Sequence, residues 1–196
     1  MNYLGHAFLS MNNEHTLTGN MIGDYVKGLQ PLQEYPEAVR NGIMLHRKID
    51  TFTDSHPAAT RAKLYFRETY HLYAGAIIDI IFDHFLANDP KHFASERALF
   101  DFSQSTYSAL ERNESFFPEK FAAFFPYMRS QNWLYNYRTL QGTEKSLLGL
   151  YRRAQRMPKV DAAYKTLVGY YYQLNQCYFE FIDDILAYVK VELSGQ

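Results

Sequence analysis

Ile77-Ile78-Asp79-Ile80-Ile81-Phe82-Asp83-His84-Phe85-Leu86 is apolar nearly all round when it is drawn as a helix. A helix of this character is buried in the core of a protein. Burying two carboxylates and an imidazole costs free energy unless they are paired or bind a cation. The stretch therefore predicts a buried helix held either by a metal ion or by an Asp and His network that braces its neighbours, with Arg47 or Arg61 as counter-charge.

Helical periodicity extends from this stretch towards both ends of the chain. Apolar residues recur at helical spacing almost throughout, whereas the alternation typical of strands is scarce. We expect an all-α, single-domain helical bundle over residues 1–196, with a loop at 27–35. The predicted helices span residues 3–10, 16–26, 36–53, 57–70, 72–88, 92–112, 118–130, 143–156 and 160–192.

Composition and length favour one soluble domain. The chain has 196 residues, 47% of them hydrophobic, which is enough for one sizeable core. Cys177 is the single cysteine, so an intrachain disulfide is impossible and a reducing cytoplasm is the expected location. The first residues lack the pattern of a signal peptide, and no apolar run reaches the roughly 20 residues of a membrane span. We expect neither a membrane nor a nucleic-acid partner.

Positive charge is concentrated in one segment, although the net charge of the chain is only -1. We call residues 120–165 the basic segment. It contains nine lysines and arginines against Glu144 and Asp161. An acidic partner could dock there. Alternatively, the long side chains are solvated helix faces whose aliphatic stems cover the core.

Histidines occur only in the first part of the chain. All seven precede residue 93, and six of the ten aspartates do as well. Imidazole nitrogens and carboxylate oxygens together hold a divalent ion while leaving positions open for water. We therefore place the metal and catalytic helices within residues 1–92 and treat residues 93–196 as the helical remainder.

Two further groups of residues extend the candidate site. His46 and Asp50 are four residues apart and share a helix face. Asp24 lies in the glycine-punctuated stretch 19–28, where the backbone can approach a ligand or another helix closely; taken alone this signal is weak. His6 could supply a ligand or a hydrogen bond to one, although a lone histidine of this kind is more often a satisfied core residue.

Several enzyme classes are disfavoured by missing motifs. The sequence has no phosphate-binding loop of Walker type, no GxSxG elbow and no CxxC motif. These absences argue against nucleotide motors, serine hydrolases and zinc fingers.

Four motifs in order carry a family resemblance: Asn2-x-Leu4-x-His6, Gly19-Asn20-x-x-Gly23-Asp24-x-Val26-x-Gly28, Gly42-Ile43-x-Leu45-His46-Arg47-x-Ile49-Asp50 and Asp83-His84-Phe85-Leu86. Together they resemble acyl carrier protein phosphodiesterases, which are similar to the helical, metal-dependent HD-domain phosphohydrolases. The resemblance implies release of 4'-phosphopantetheine from a serine of the holo acyl carrier protein, with Mn²⁺ or Mg²⁺ as the metal. It also implies a link to fatty acid biosynthesis, and the acidic carrier protein is the expected partner.

Residues and resemblance together predict a metal-activated water that attacks phosphorus. The expected metal ligands are Asp24, His46, Asp50, Asp83 and His84.

Asp24, Arg47 and Asp79 are the expected catalytic residues. Arg47 would steady charge on the phosphoryl oxygens, unless it pairs with Asp50. Two alternatives remain, a nucleotide phosphohydrolase of the HD type and a non-catalytic helical module that binds an acidic partner.

Overall fold

A computed structural model describes residues 1–11, 13–154 and 156–194 of the chain. Within these ranges it contains eleven α-helices and no strand, which confirms the all-α class. The helices are α1 (Tyr3–Phe8), α2 (Glu14–Ile22), α3 (Glu37–Ser55), α4 (Pro57–Tyr70), α5 (Ala74–Ala87), α6 (Glu96–Arg112), α7 (Glu119–Ser130), α8 (Trp133–Asn136), α9 (Leu140–Arg153), α10 (Asp161–Gly169) and α11 (Tyr171–Ser194).

Side chains at the helix starts accept hydrogen bonds from the otherwise unpaired N–H groups of the first turn. Asn13 caps α2, Ser95 caps α6 and Thr139 caps α9. His56 accepts from the N–H of Ala58 at the start of α4, whose first residue, Pro57, suits that position because its fixed φ is already helical.

Helix α5 is the centre of the bundle. It packs against α1, α4, α9 and α11, and every residue from Ile80 to Ala87 is buried. The apolar sequence of this helix is therefore explained by neighbours on all sides. The buried apolar residues of the described chain form one continuous core.

Helices α2 and α3 pack closely because each has a glycine where they cross. A Cβ on Gly19 would lie 2.0 Å from the carbonyl oxygen of Val39, and a Cβ on Gly42 would lie 2.3 Å from that of Thr16. Any side chain at either position would force the helices apart. Their contact brings the backbone of Asn20 within hydrogen-bonding distance of His46.

Most predicted helix boundaries agree with the structure within a few residues, and α4 spans the predicted 57–70. The predicted helix 160–192 is instead two helices that meet after Gly169, a residue of low helix propensity. The predicted helix 143–156 begins earlier, at Leu140, and ends at Arg153; Gln155 lies outside the described residues. The expected loop 27–35 contains a short 3₁₀-helix, Gln30–Glu34.

Helix α8 was missed because four residues are too few to show a period. Within the described ranges, none of the helices is both long enough and apolar enough to cross a bilayer.

Candidate metal and active site

A cavity of about 340 Å³ opens between the first helices and the end of α9. Its walls come from α1, α2, α3, α5 and α9, together with the short 3₁₀-helix Gly23–Tyr25. The lining includes both candidate histidines of α1 and α3, three carboxylates and one arginine. These side chains are His6, His46, Asp24, Asp50, Asp79 and Arg153.

Two histidines and one carboxylate converge within this cavity. His6, His46 and Asp50 each offer one ligand atom, and the three atoms lie within 4.8 Å of one another. The Nε2 atoms of both histidines are 3.2 Å from the oxygens of Asp50. The two imidazole rings are stacked, with centroids 4.0 Å apart. The arrangement points three donor atoms at one place.

Asn20 orients both histidine rings. Its amide nitrogen donates to the carbonyl oxygen of His6 and to Ser10 Oγ, which leaves its Oδ1 to accept from Nδ1–H of His6 at 2.8 Å. The carbonyl oxygen of Asn20 accepts from Nδ1–H of His46 at 2.7 Å. With each Nδ1 committed as a donor, the neutral form of each ring presents a free Nε2 lone pair to the cavity.

His46 has an unsatisfied nitrogen. Its Nε2 is buried, and no described residue forms a hydrogen bond of acceptable geometry with it, although Asp24 and Asp50 are 3.6 and 3.2 Å away. Burial favours the neutral ring, but the two carboxylates outweigh that cost and raise the pKa of His46 to about 9. A buried nitrogen with nearby anions and no bonded partner is what a cation site requires.

His6 responds to the same surroundings in the opposite direction. Burial is the largest cause, and with the positive charge of His46 it lowers the pKa of His6 to about 4. One ring of the pair is therefore neutral, while the other retains a proton in the absence of metal.

The carboxylates of Asp24 and Asp50 are held in the ionised form. The nearby imidazole of His46 lowers the pKa of Asp24. Partial burial alone would raise the pKa of Asp50, but the two histidines hold it well below its usual range.

Gly23 permits this arrangement, since a Cβ there would lie 2.4 to 2.7 Å from atoms of the His46 side chain.

Asp79 lines another wall of the cavity and is in a different state. Its Oδ1 accepts from the main-chain nitrogen of Met1 at 2.8 Å. Burial is the dominant influence and raises the pKa of this carboxyl group despite that contact. The cavity thus combines carboxylates that give up their protons readily with one that retains its proton to higher pH.

Asp83 lies on α5, as Asp79 does, but it contacts the backbone of residues 2, 4 and 5. Its carboxylate accepts from the N–H groups of Asn2, Leu4 and Gly5 at 3.1, 2.8 and 3.1 Å. It is fully buried and does not line the cavity. These contacts are those of a cap on α1, not those of a metal ligand, so Asp83 falls outside the converging group.

His84 also differs from its predicted role as a ligand. Its Nδ1 donates to the carbonyl oxygen of Tyr137 at 2.7 Å, and its Nε2 accepts from the hydroxyl of Tyr171 at 2.9 Å. Both ring nitrogens are occupied, which leaves none for a metal. His84 therefore joins α5 to α11, as in the alternative of a bracing network.

Arg47 neither pairs with Asp50 nor lines the cavity. Its Nη2 donates to the carbonyl oxygens of Val26 and Gly28 at 2.8 and 2.7 Å. Arg47 thereby holds the segment that follows Asp24, and its contribution to the site is to fix that backbone.

The sequence hypotheses thus included His46, Asp50, Asp24 and Asp79 in the cavity but gave too little weight to His6. Two other residues of the cavity, Asn20 and Arg153, are not among the predicted site residues. Asn20 belongs to the motif that also contains Asp24, and its place in that motif was the signal that could have identified it.

Comparison with known proteins supplies the family. The family model described as "Acyl carrier protein phosphodiesterase" matches residues 1–185. Proteins of that name from Serratia proteamaculans and Yersinia pestis are 30% and 32% identical to this chain over 190 and 188 residues. These alignments cover 97% and 96% of this chain and 98% and 93% of the two relatives. No solved structure matches the chain. The chain therefore belongs to the acyl carrier protein phosphodiesterase family.

Proposed function

We propose that this protein is a metal-dependent phosphodiesterase that releases 4'-phosphopantetheine from the serine of an acyl carrier protein. The observation that carries the proposal is the convergence of His6, His46 and Asp50 in an open cavity. The substrate is inferred from the name shared by the relatives, which cover almost the full chain.

The donor set suits the proposed metal. Two imidazole nitrogens and a carboxylate oxygen bind divalent ions such as Mn²⁺, and three protein ligands leave further coordination positions open. The unpaired Nε2 of His46 supports this assignment, because a bound cation would satisfy it. Such an ion, when bound, supplies Lewis acidity to a phosphoryl oxygen and lowers the pKa of water.

Proton transfer is assigned to two other cavity carboxylates. Asp24, whose pKa is lowered, is ionised at neutral pH and can accept a proton from the attacking water. Asp79, whose pKa is raised by burial, is assigned as the proton donor to the departing serine oxygen. The two groups thus have environments that separate their roles, which is the usual arrangement for a base and an acid.

The basic segment is proposed to dock the acidic carrier protein. Two of its arginines are already paired, Arg129 with Glu111 and Arg138 with Glu96. Arg152, Arg156 and Lys159 are exposed and make no ion pair with a described residue. They lie within six residues of Arg153, which lines the cavity. A partner held there would place its serine near the proposed metal ligands.

A direct assay tests the function. Purified protein is incubated with holo acyl carrier protein and Mn²⁺, and the carrier is weighed by mass spectrometry. We expect loss of 4'-phosphopantetheine with Mn²⁺ and no loss with a chelator. Asp50→Asn should abolish both turnover and Mn²⁺ binding.

Asp54→Asn is the matched control. Asp54 lies one turn further along α3, is exposed and pairs with Lys63 at 2.7 Å outside the cavity. This variant should keep both properties. Normal turnover by Asp50→Asn, or turnover in the presence of chelator, would contradict the proposal.

A further inference from the structure

Arg153 occupies a position that neither the motifs nor the family assignment explains. It is the last residue of α9, and it lines the cavity together with the candidate metal ligands. Its Nη1 donates to the hydroxyl of Tyr3 at 3.4 Å, and that hydroxyl is 2.7 Å from the hydroxyl of Tyr25. The guanidinium is therefore anchored to α1, the helix that also carries His6.

The guanidinium of Arg153 has no carboxylate partner within 4.0 Å among the described residues. Five other arginines of the described chain form ion pairs with carboxylates. Those in ion pairs are Arg61 with Glu180, Arg97 with Asp101, Arg112 with Glu14, Arg129 with Glu111 and Arg138 with Glu96. The polar partner of Arg153 is instead the hydroxyl of Tyr3, which forms a hydrogen bond and no ion pair with it.

The rest of the cavity needs such a charge if its ligand is an anion. Asp24 and Asp50 line the same space, and their negative charge would repel a phosphodiester. A guanidinium has a planar set of N–H donors that matches two phosphate oxygens at once. Arg153 is the arginine that lines this cavity.

We infer that Arg153 binds the phosphate of the substrate, and that the tyrosine pair Tyr3 and Tyr25 holds its guanidinium in place. This inference rests on the proposed function, because it takes the phosphodiester to be the ligand of the cavity. It also moves Arg153 out of the docking surface, although Arg152 and Arg156 on either side remain in it.

The test measures binding and not only turnover. The probes are 4'-phosphopantetheine and pantetheine, which differ by the phosphate, and their affinities are measured by calorimetry with Mn²⁺ and separately with chelator. The wild-type protein should bind the phosphorylated probe more tightly. Arg153→Met should lower the affinity for 4'-phosphopantetheine by about 10- to 100-fold, the usual loss for a pair of charge-assisted hydrogen bonds. Its affinity for pantetheine should be unchanged.

Arg67→Met is the matched control, since it removes the same charge from an exposed arginine of α4 that neither lines the cavity nor belongs to the basic segment. It should bind both probes as the wild type does. Arg153→Lys retains the positive charge but loses the planar set of N–H donors, so we expect an intermediate affinity for 4'-phosphopantetheine. This variant replaces Arg153→Met in the test if the methionine variant fails to fold. Mn²⁺ affinity should remain in both Arg153 variants.

Equal binding of 4'-phosphopantetheine by the Arg153→Met and Arg67→Met variants would overturn the inference. Its failure is distinct from failure of the proposed function. If Arg153 controls phosphate binding but the wild type leaves holo acyl carrier protein intact, the substrate is wrong and the anion site stands. If the wild type hydrolyses the carrier and Arg153→Met binds the phosphate normally, only the role of Arg153 is wrong.

Discussion

Replacing Asp83 by alanine should destabilise the protein rather than merely remove a metal. The carboxylate accepts from three buried backbone N–H groups at the start of α1, and alanine would leave all three without a partner. An unsatisfied buried donor costs about 1 to 3 kcal/mol. Because the three donors share one acceptor and can relax together, we expect a total loss of about 3 to 5 kcal/mol.

Urea unfolding of the metal-free protein, followed by circular dichroism, measures this loss. Asp83→Asn keeps one acceptor oxygen and places an amide N–H₂ against one donor, so its loss should be about 1 to 3 kcal/mol. An Asp83→Ala variant of wild-type stability that fails to bind Mn²⁺ would refute the cap and make Asp83 a ligand.

The pH dependence of this penalty follows from the pKa of the same group. Burial raises the pKa of Asp83 to about 7 against the opposing N–H groups, whereas an unfolded aspartate titrates near 3.9. The proton is therefore bound more tightly in the folded state. Its contribution to stability is complete below about pH 4 and is lost as the pH rises through 7. The difference in unfolding free energy between wild type and Asp83→Ala should shrink from pH 5 to pH 8.

Three further outcomes are expected. Because the pKa of His46 is about 9, Mn²⁺ binding at pH 7 should release about one proton, measured by calorimetry in two buffers, and affinity should rise towards pH 9. Gly23→Ala places a Cβ against His46 and should lower the affinity for Mn²⁺ by about 10-fold or more without unfolding the protein. Reversing Arg152, Arg156 and Lys159 to Glu should raise KM for the carrier protein and weaken its salt dependence, while turnover of a small phosphodiester stays unchanged.

Each of these outcomes has a contrary result. Binding of Mn²⁺ without proton release would mean that His46 is neutral or is not a ligand. Unchanged Mn²⁺ affinity in Gly23→Ala would mean that the ring can move freely. If the variant with Arg152, Arg156 and Lys159 reversed to Glu turns over both substrates equally slowly, the change has disturbed folding rather than docking.

Helical periodicity was sufficient for the long elements because they bury one stripe or, in α5, every face. It could not divide residues 160–192, since the apolar stripe continues across Tyr170, where the helix is interrupted. The helix α1 falls within the predicted helix 3–10, whereas the four-residue helix α8 is too short to show a period.

The candidate site was only partly predictable for a related reason. His46 and Asp50 share one helix, so their spacing was enough to pair them. The burial of Asp83 and His84 correctly signalled polar groups in need of partners, but sequence does not show whether a partner is a metal, a backbone N–H or a hydroxyl. The place of His6 depends on Asn20, fourteen residues away, and hence on the packing of α1 against α2.

The cap on α1 has a consequence for the order of assembly. A six-residue helix is too short to persist in water by itself, so His6 cannot be positioned until α5 has formed and offers Asp83. Completion of the cluster therefore reports that the central core is in place. A chain whose core is loose would lose its metal before it lost most of its helices, and amide protons of α1 would exchange with solvent earlier than those of α5.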